Sequence, residues 1–169
     1  MNNSALDVKN YIQDGFVKIC DVVLMTDGSW RYRNINETYM YKQHDSWVYF
    51  IVVDDEIVKV GETGNPLGIK SNNFYQNFPV QPITGTKSRF GRYRKGDGTD
   101  EYIRNALKQE TISGRVSLWA KECPLVETSI TMQGENHNTK VSMHKHLEID
   151  IMKYMLDQGC WPKLNKSLK

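Results

Sequence analysis

Seven consecutive β-branched or aromatic residues, Trp47–Val53, strongly favour a β-strand. Three acidic residues follow at 54–56, and a second β-forming run at 57–60 then ends at Gly61. Two such runs joined by a short polar segment predict an antiparallel hairpin. Any fold for this chain therefore has to place one strongly apolar hairpin inside a core.

The remaining segments alternate between helix and strand signals. Helical spacing or strand composition predicts a helix at 4–14, a hairpin from 16–25 and 30–35, a helix at 100–109, a strand at 115–121 and a helix at 142–158. Residues 62–88, with six glycines or prolines, predict irregular structure, and 127–139 a polar surface excursion. This order predicts an α+β fold, a small antiparallel or mixed sheet flanked by helices.

Composition indicates one globular domain, because 39% of the 169 residues are hydrophobic and 25% are charged. Three distant cysteines form neither a disulfide framework nor a zinc motif, so Cys20, Cys123 and Cys160 are interpreted as apolar fillers in a reducing compartment. There is no long apolar run and no signal-like start. We therefore expect a cytoplasmic protein of a bacterial or phage-infected cell, with no membrane partner.

Charge is informative through its distribution, since 22 lysines and arginines against 20 acids give a net charge of only +2. Residues 87–95 carry five cations and no acid, with Phe90 and Tyr93 among them. Cations interleaved with aromatic rings suit a phosphate backbone and its bases, although a solvated face has the same composition. The DNA-binding candidates, including two from the first hairpin, are Lys87, Arg92, Arg94, Lys95, Arg31 and Arg33.

Glu148 stands out on the last predicted helix. It neighbours Leu147 and Ile151, so its carboxylate lies at the border of the apolar stripe rather than opposite it. A carboxylate in that position needs a partner or a metal ion, or its head must reach water, for example beside Lys145. His144 is four residues away and is interpreted as exposed, with membership of a metal site as the weaker alternative.

Tyr49 and Lys59 form the second constellation, and the register of the hairpin decides whether they meet. A two-residue turn places Lys59 on the face opposite Tyr49, whereas an odd loop over 54–56 pairs Tyr49 with Gly61 and puts both side chains on one face. A shared pocket requires the second register. The alternative is a half-buried tyrosine beside a solvent-facing lysine.

These parts, in this order, resemble the GIY-YIG nuclease superfamily over residues 47–166. The resemblance is carried by Val48-Tyr49-Phe50, Lys59-Val60-Gly61, Arg89 with Tyr93, Glu148 on a helix, and Trp161-Pro162-Lys163-Leu164-Asn165. A lysine in place of the second tyrosine looks like the type II restriction enzymes of the family, and 102–123 looks like its phage degradative endonucleases. The resemblance implies a single domain with an N-terminal extension at 1–46 and a nuclease core at 47–169 that has an insertion at about 62–88.

The resemblance implies a Mg²⁺-dependent DNA endonuclease with a homodimer possible, because one active site cuts one strand. Tyr49 would orient or deprotonate the attacking water, with Lys59 favouring the phenolate. Glu148 would bind Mg²⁺, for which Mn²⁺ is a plausible substitute. The implied catalytic set is Tyr49, Lys59, Arg89, Tyr93, Glu148 and Asn165.

The other implied roles concern the phosphate. Arg89 would hold a non-bridging oxygen, with Arg92 as the other candidate, Tyr93 would lie near the scissile phosphate, and Asn165 would position groups around the glutamate. Two further functions are consistent with the same residues. One is a nucleic-acid-binding module without catalysis, and the other is a repair or mobile-element nuclease acting on branched or specific sites. The expected partner is double-stranded DNA.

Overall fold

The computed structural model describes residues 3–26, 28, 30–68, 88–95 and 99–166, with only the backbone described at residues 3, 94, 95 and 99. These ranges contain seven strands and five α-helices. The strands are β1 (Val17–Leu24), β2 (Trp30–Arg33), β3 (Trp47–Val53), β4 (Glu56–Thr63), β5 (Val116–Glu122), β6 (Leu125–Met132) and β7 (Glu135–Ser142). The helices are α1 (Glu37–Met40), α2 (Arg89–Lys95), α3 (Thr99–Ala106), α4 (Lys108–Ile112) and α5 (His144–Asp157).

Five strands form the main sheet in the order β2-β1-β5-β3-β4, and every pairing in it is antiparallel. The predicted α+β class is confirmed. Helices cover both faces, and every residue of β3 is buried between them. The face that carries Tyr49 packs against α2 and α3, and the face that carries Phe50 packs against α5 and the N-terminal segment. β4 is left as an edge strand of this sheet.

The β3–β4 turn contains two residues, Asp54 with φ of 48° and Asp55 with φ of 74°. Positive φ at both central positions is the geometry of a type I′ hairpin turn, and aspartate is one of the side chains that tolerate it. The turn on its own would put Tyr49 and Lys59 on opposite faces.

A β-bulge reverses that outcome. Val58 is an extra residue in β4, because the register shifts between Ile51 and the residue after it. Tyr49 therefore pairs with Gly61, and Ile51 pairs with Lys59. The pairing that a shared pocket requires is present, and the bulge rather than an odd loop produces it.

The N-terminal helix predicted over 4–14 is wrong as a single helix. Two 3₁₀ segments, Asn3–Leu6 and Val8–Tyr11, replace it. Asp7 separates them in an extended conformation, where it forms a β-bridge to Glu56 and its carboxylate accepts the backbone N–H of Lys9. Tertiary pairing with β4 therefore interrupts the local helical signal.

The predicted first hairpin is confirmed as β1 and β2, which join the main sheet through β5. The division of the chain at residue 46 stays a prediction. The strand at 115–121 and the helix at 142–158 are confirmed as β5 and α5. The helix at 100–109 is divided into α3 and α4 at Leu107, whose φ and ψ of −104° and 12° leave the helical region.

Two regions differ from the sequence prediction. Helix α2 was not expected, and the excursion at 127–139 belongs to an exposed hairpin, β6–β7. Within 62–88, β4 continues to Thr63, and residues 69–87 lie outside the described ranges. All three cysteines are buried and unpaired. In the part of the chain that is described, no helix combines the length and apolar character needed to cross a bilayer.

Candidate active site

A cavity of about 670 Å³ lies at the edge strand β4. It draws side chains from both faces of the sheet, because Tyr49 and Arg89 belong to one face whereas α5 packs on the other. Five of the six predicted catalytic residues line this cavity, and the sixth, Tyr93, is hydrogen-bonded to Tyr49. The five lining residues are Tyr49, Lys59, Arg89, Glu148 and Asn165.

Tyr49 reaches the cavity across Gly61. A Cβ atom on Gly61 would collide with the Tyr49 hydroxyl oxygen, so this position excludes any side chain while the ring stays in place. The ring has little freedom to move, since it is only 2% exposed and packs edge-on against Phe90 and Tyr93. Glycine in β4 is therefore part of the site.

Arg89 ties the phenols to an acidic partner. Its Nε donates to the Tyr49 hydroxyl at 2.8 Å, and its two terminal nitrogens contact the Asp100 carboxylate at 2.9 and 3.4 Å. The guanidinium lies 4.3 Å from the Tyr93 ring centroid, and the two phenol oxygens are 3.0 Å apart. The arginine is therefore held by an acid on one side and by two phenols on the other.

Local structure in α2 places this arginine. The Ser88 hydroxyl accepts the backbone N–H of Gly91 at 3.2 Å, which is the N-cap arrangement that starts a helix. The backbone N–H groups of Arg89 and Phe90 donate to the carbonyls of Pro66 and Leu67. The segment after β4 therefore fixes the beginning of α2 and, with it, the guanidinium.

Burial controls the protonation of the phenols. It raises the pKa of Tyr49, an effect that the Arg89 guanidinium opposes, and it raises the pKa of Tyr93 well above its usual value. Burial alone would lower the pKa of Arg89, but the phenol oxygens of Tyr49 and Tyr93 and the Asp100 carboxylate outweigh it and raise that pKa. At neutral pH the cluster therefore holds two protonated phenols and a charged arginine paired with aspartate.

Glu148 and Lys59 complete the cavity from α5 and β4. Glu148 is half-buried beside Met152, which belongs to the core under α5, as its position on the apolar border predicts. Lys59 is also half-buried and shares a face with Tyr49 through the bulge. Among the described residues, no group of three or more histidines, cysteines or acids is arranged to hold a metal ion. Besides the Asp100 carboxylate bound to Arg89, two carboxylates line the cavity, those of Glu62 and Glu148.

Asn165 acts on β4 directly. Its side-chain carbonyl accepts the Val60 N–H at 2.8 Å, and its amide donates to the Val60 carbonyl at 2.8 Å. The neighbouring backbone N–H of Leu164 donates to the Val58 carbonyl at 2.9 Å. These bonds satisfy the open edge of the strand that carries Lys59 and Gly61.

The predicted DNA-binding residues separate into different places. Arg92 is exposed and lines the cavity, together with Lys145 and Lys166. Arg31 and Arg33 lie on β2, at the opposite edge of the sheet, four strand spacings or about 19 Å from β4. Lys87 and the side chains of Arg94 and Lys95 lie outside the described residues.

Three residues of the site were missed or misread in the sequence. Asp100 gave no signal as a partner of Arg89, because the two are far apart in any local pattern. Glu62 was assigned to a loop. His144 was expected to be exposed but is buried, because Ser142 and Glu62 bind its ring nitrogens. Its four-residue spacing from Glu148 was the only sequence signal for a place near the site.

Comparison with solved structures shows a similar fold. A structure of a mutant of bacteriophage T4 EndoII aligns with a TM-score of 0.53 and 15% identity, covering 92% of this chain and 95% of that chain. Restriction endonuclease HPY188I in complex with product DNA aligns with a TM-score of 0.45 and 19% identity, covering 95% of this chain and 86% of that chain. No protein-family model and no curated protein sequence matches the chain. At 15% identity the similarity to EndoII establishes the fold alone.

Proposed function

We propose that this protein is a Mg²⁺-dependent DNA endonuclease of the GIY-YIG type. The observation that carries the proposal is that Tyr49, Lys59 and Glu148 line one cavity together with the mostly buried Arg89. Phosphodiester hydrolysis needs an oriented water and positive charge near the phosphoryl oxygens. The cavity volume of about 670 Å³ lies in the range of sites that hold ligands of nucleotide size.

The charge of the cavity suits a polyanion. Among its described lining residues, the Arg89 charge is balanced by Asp100, which leaves four cations against two acids and a net charge of 4 − 2 = +2. These six residues are Lys59, Arg92, Lys145, Lys166, Glu62 and Glu148. A positive concave surface raises the local concentration of a phosphate backbone and speeds its association.

The donor set fits Mg²⁺. The ion commonly binds through one or two carboxylates and completes its shell with waters and substrate phosphate oxygens, and Glu148 supplies such a carboxylate in an open cavity. Mn²⁺, which accepts the same oxygen ligands, is a plausible substitute. When bound, the ion would lower the pKa of a coordinated water and neutralise charge on the phosphate.

The protein's own groups would do the positioning. Tyr49 would orient the attacking water with its hydroxyl, which Arg89 and Tyr93 hold in place. Because burial keeps this phenol protonated at neutral pH, a base role would require the added positive charge of Lys59 and the metal ion. Arg89, which lines the cavity, would bind a phosphate oxygen through its guanidinium. The exposed Arg92, which also lines the cavity, would contact the DNA backbone.

Nicking of supercoiled plasmid in Mg²⁺ tests the proposal. We expect the wild-type protein to cut and Glu148→Gln, which keeps the side-chain shape but loses the charge, to be at least about 100-fold slower. Glu127→Gln, on the exposed strand β6, is the matched control and should cut normally. Failure of the wild type to cut any duplex, or equal cutting by Glu148→Gln, would contradict the proposal.

The same assay separates the other candidate functions. Salt-dependent DNA binding without cleavage would favour the binding module, because phosphate contacts make affinity fall steeply with salt. A map of cleavage sites on random-sequence DNA distinguishes a restriction enzyme, which cuts at one sequence, from a degradative or repair nuclease. The stagger between the two strands would also report whether a homodimer cuts both together.

A further inference from the structure

A histidine-centred network joins the cavity to the start of α5. The His144 Nε2 lies 3.1 Å from Oε2 of Glu62, and its Nδ1 is hydrogen-bonded to the Ser142 hydroxyl. The Ser46 hydroxyl contacts both Ser142 and His144. The His144 side chain is 10% exposed and that of Glu62 is 24% exposed. Residues from two other parts of the chain, at 46 and at 142–144, therefore hold Glu62 at the cavity wall.

The donor and acceptor properties of these side chains assign a role to each member of the network. A proton on Nε2 of His144 donates to the Glu62 carboxylate, whether the ring is neutral or charged. Ser142 satisfies the other ring nitrogen in either state, because a hydroxyl both donates and accepts. One oxygen of Glu62 is thus engaged by the histidine, and the carboxylate is held in a fixed orientation beside the cavity that it lines.

Glu148 lies close to this network. His144 and Glu148 are separated by four residues on α5, so their Cβ atoms are about 6 Å apart on one face of the helix. Glu62 contacts His144, and both glutamates line the same cavity. Glu62 on β4 and Glu148 on α5 therefore reach one cavity from two different elements.

We propose that Glu62 is a second carboxylate of the divalent-cation site at Glu148, and that His144 is a positioning residue that orients it. This inference rests on the proposed function and adds to it a ligand from the edge strand. Mg²⁺ sites commonly use one or two carboxylates with waters and phosphate, so two glutamates complete a normal site. Residues that orient a metal ligand typically change metal affinity by about 10–100-fold when they are removed.

The competing explanation is that Glu62 serves only to pair with the buried His144. Under that explanation, replacing Glu62 affects folding but leaves cation binding intact. Metal affinity measured without DNA therefore separates the two explanations, and it does not depend on turnover.

The experiment measures Mn²⁺ binding to the full chain by electron paramagnetic resonance, with folding checked by circular dichroism. We expect Glu62→Gln to weaken binding by about 10-fold or more, Glu148→Gln to weaken it at least as much, and the control Glu127→Gln to bind as the wild type does. Wild-type affinity in a folded Glu62→Gln protein would overturn the inference while leaving the site at Glu148 intact. Absence of Mn²⁺ binding by the wild type would overturn the inference, whereas the plasmid assay judges the endonuclease separately.

His144 variants test positioning. His144→Ala should weaken Mn²⁺ binding by about 10-fold, and His144→Gln, whose amide can donate from nearly the same place as Nε2, should restore most of it. Adding His144→Ala to Glu62→Gln should cause no further loss, because the histidine acts through that glutamate. A further loss of similar size in the double variant would contradict the positioning role.

Discussion

The two long hairpins of this protein start from the same local design. β3–β4 and β6–β7 each join long strands through a two-residue turn with positive φ, at Asp54 and Asp55 in one and at Gln133 and Gly134 in the other. Their environments are opposite, since every residue of β3 is buried and every residue of β6 is exposed. The turn residues are therefore sufficient to form a hairpin. Only the hairpin that is packed on both faces contributes residues to the candidate active site.

The composition of the strands explains the difference. β3 is apolar at every position, so both of its faces can support helices. β6 alternates, with Val126 and Ile130 on one face and Glu127 and Thr131 on the other. On the polar face, Glu127 forms an ion pair with Lys140 and Thr131 forms a hydrogen bond with Asn136. The β3–β4 hairpin therefore positions residues that line the cavity, whereas the side chains of β6 remain exposed to solvent.

Removing one partner from an ion pair should give the largest contrast. Asp100→Asn leaves Arg89 with its charge buried and uncompensated, and we expect a loss of about 3–5 kcal/mol in the free energy of unfolding. Glu127→Gln removes the partner of Lys140, where both side chains are mostly exposed, and should cost about 0–1 kcal/mol. Urea denaturation measures both. Similar losses would show that the Arg89 cluster is not effectively buried.

A matched truncation of isoleucine compares the packing. Ile51→Ala in β3 removes a side chain with no exposed surface and should cost about 2–5 kcal/mol. Ile130→Ala in β6 starts from a side chain that is 43% exposed and should cost less than about 1 kcal/mol. Thermal unfolding followed by circular dichroism gives both values. If Ile130→Ala were as costly, a partner would have to cover β6 in solution.

Replacing one glycine by alanine in each hairpin compares the space around a single added methyl group. Gly61→Ala places a methyl group against the Tyr49 hydroxyl, so we expect a loss of about 1–3 kcal/mol together with loss of nicking activity. Gly134→Ala meets no atom within 4 Å but has a φ of 84°, so it should cost about 1 kcal/mol and leave activity unchanged. Retention of activity in Gly61→Ala would mean that Tyr49 can move without consequence.

The smallest effect concerns alkaline pH. Burial raises the pKa of Tyr49, so the unfolded chain loses this proton first as the pH rises, from about 10 upward. The associated stability is present below that pH and is lost as the pH rises through the higher pKa of the folded state. Tyr49→Phe should flatten this decline in urea titrations between about pH 9 and 11. The β6–β7 hairpin contains no tyrosine and makes no such contribution.

Much of the fold was predictable because it depends on local patterns. The apolar run of β3, the alternation in β5 and the helical spacing of α5 each identify an element without reference to the rest of the chain. The sequence signal failed where contacts between distant segments decided the outcome. The pairing of Asp7 with Glu56 divided the first helix, and the contacts of Ser142 and Glu62 with His144 buried a residue expected on the surface.

The sequence alone determined the α+β class and the residue types able to handle a phosphate, because periodicity and side-chain chemistry are properties of short segments. Tertiary structure decided that the bulge at Val58 turns Lys59 toward Tyr49, and that Asp100 neutralises Arg89. It also placed Glu62 beside His144 at the cavity. Register shifts and ion pairs between distant segments depend on how whole elements pack, and no local pattern encodes that packing.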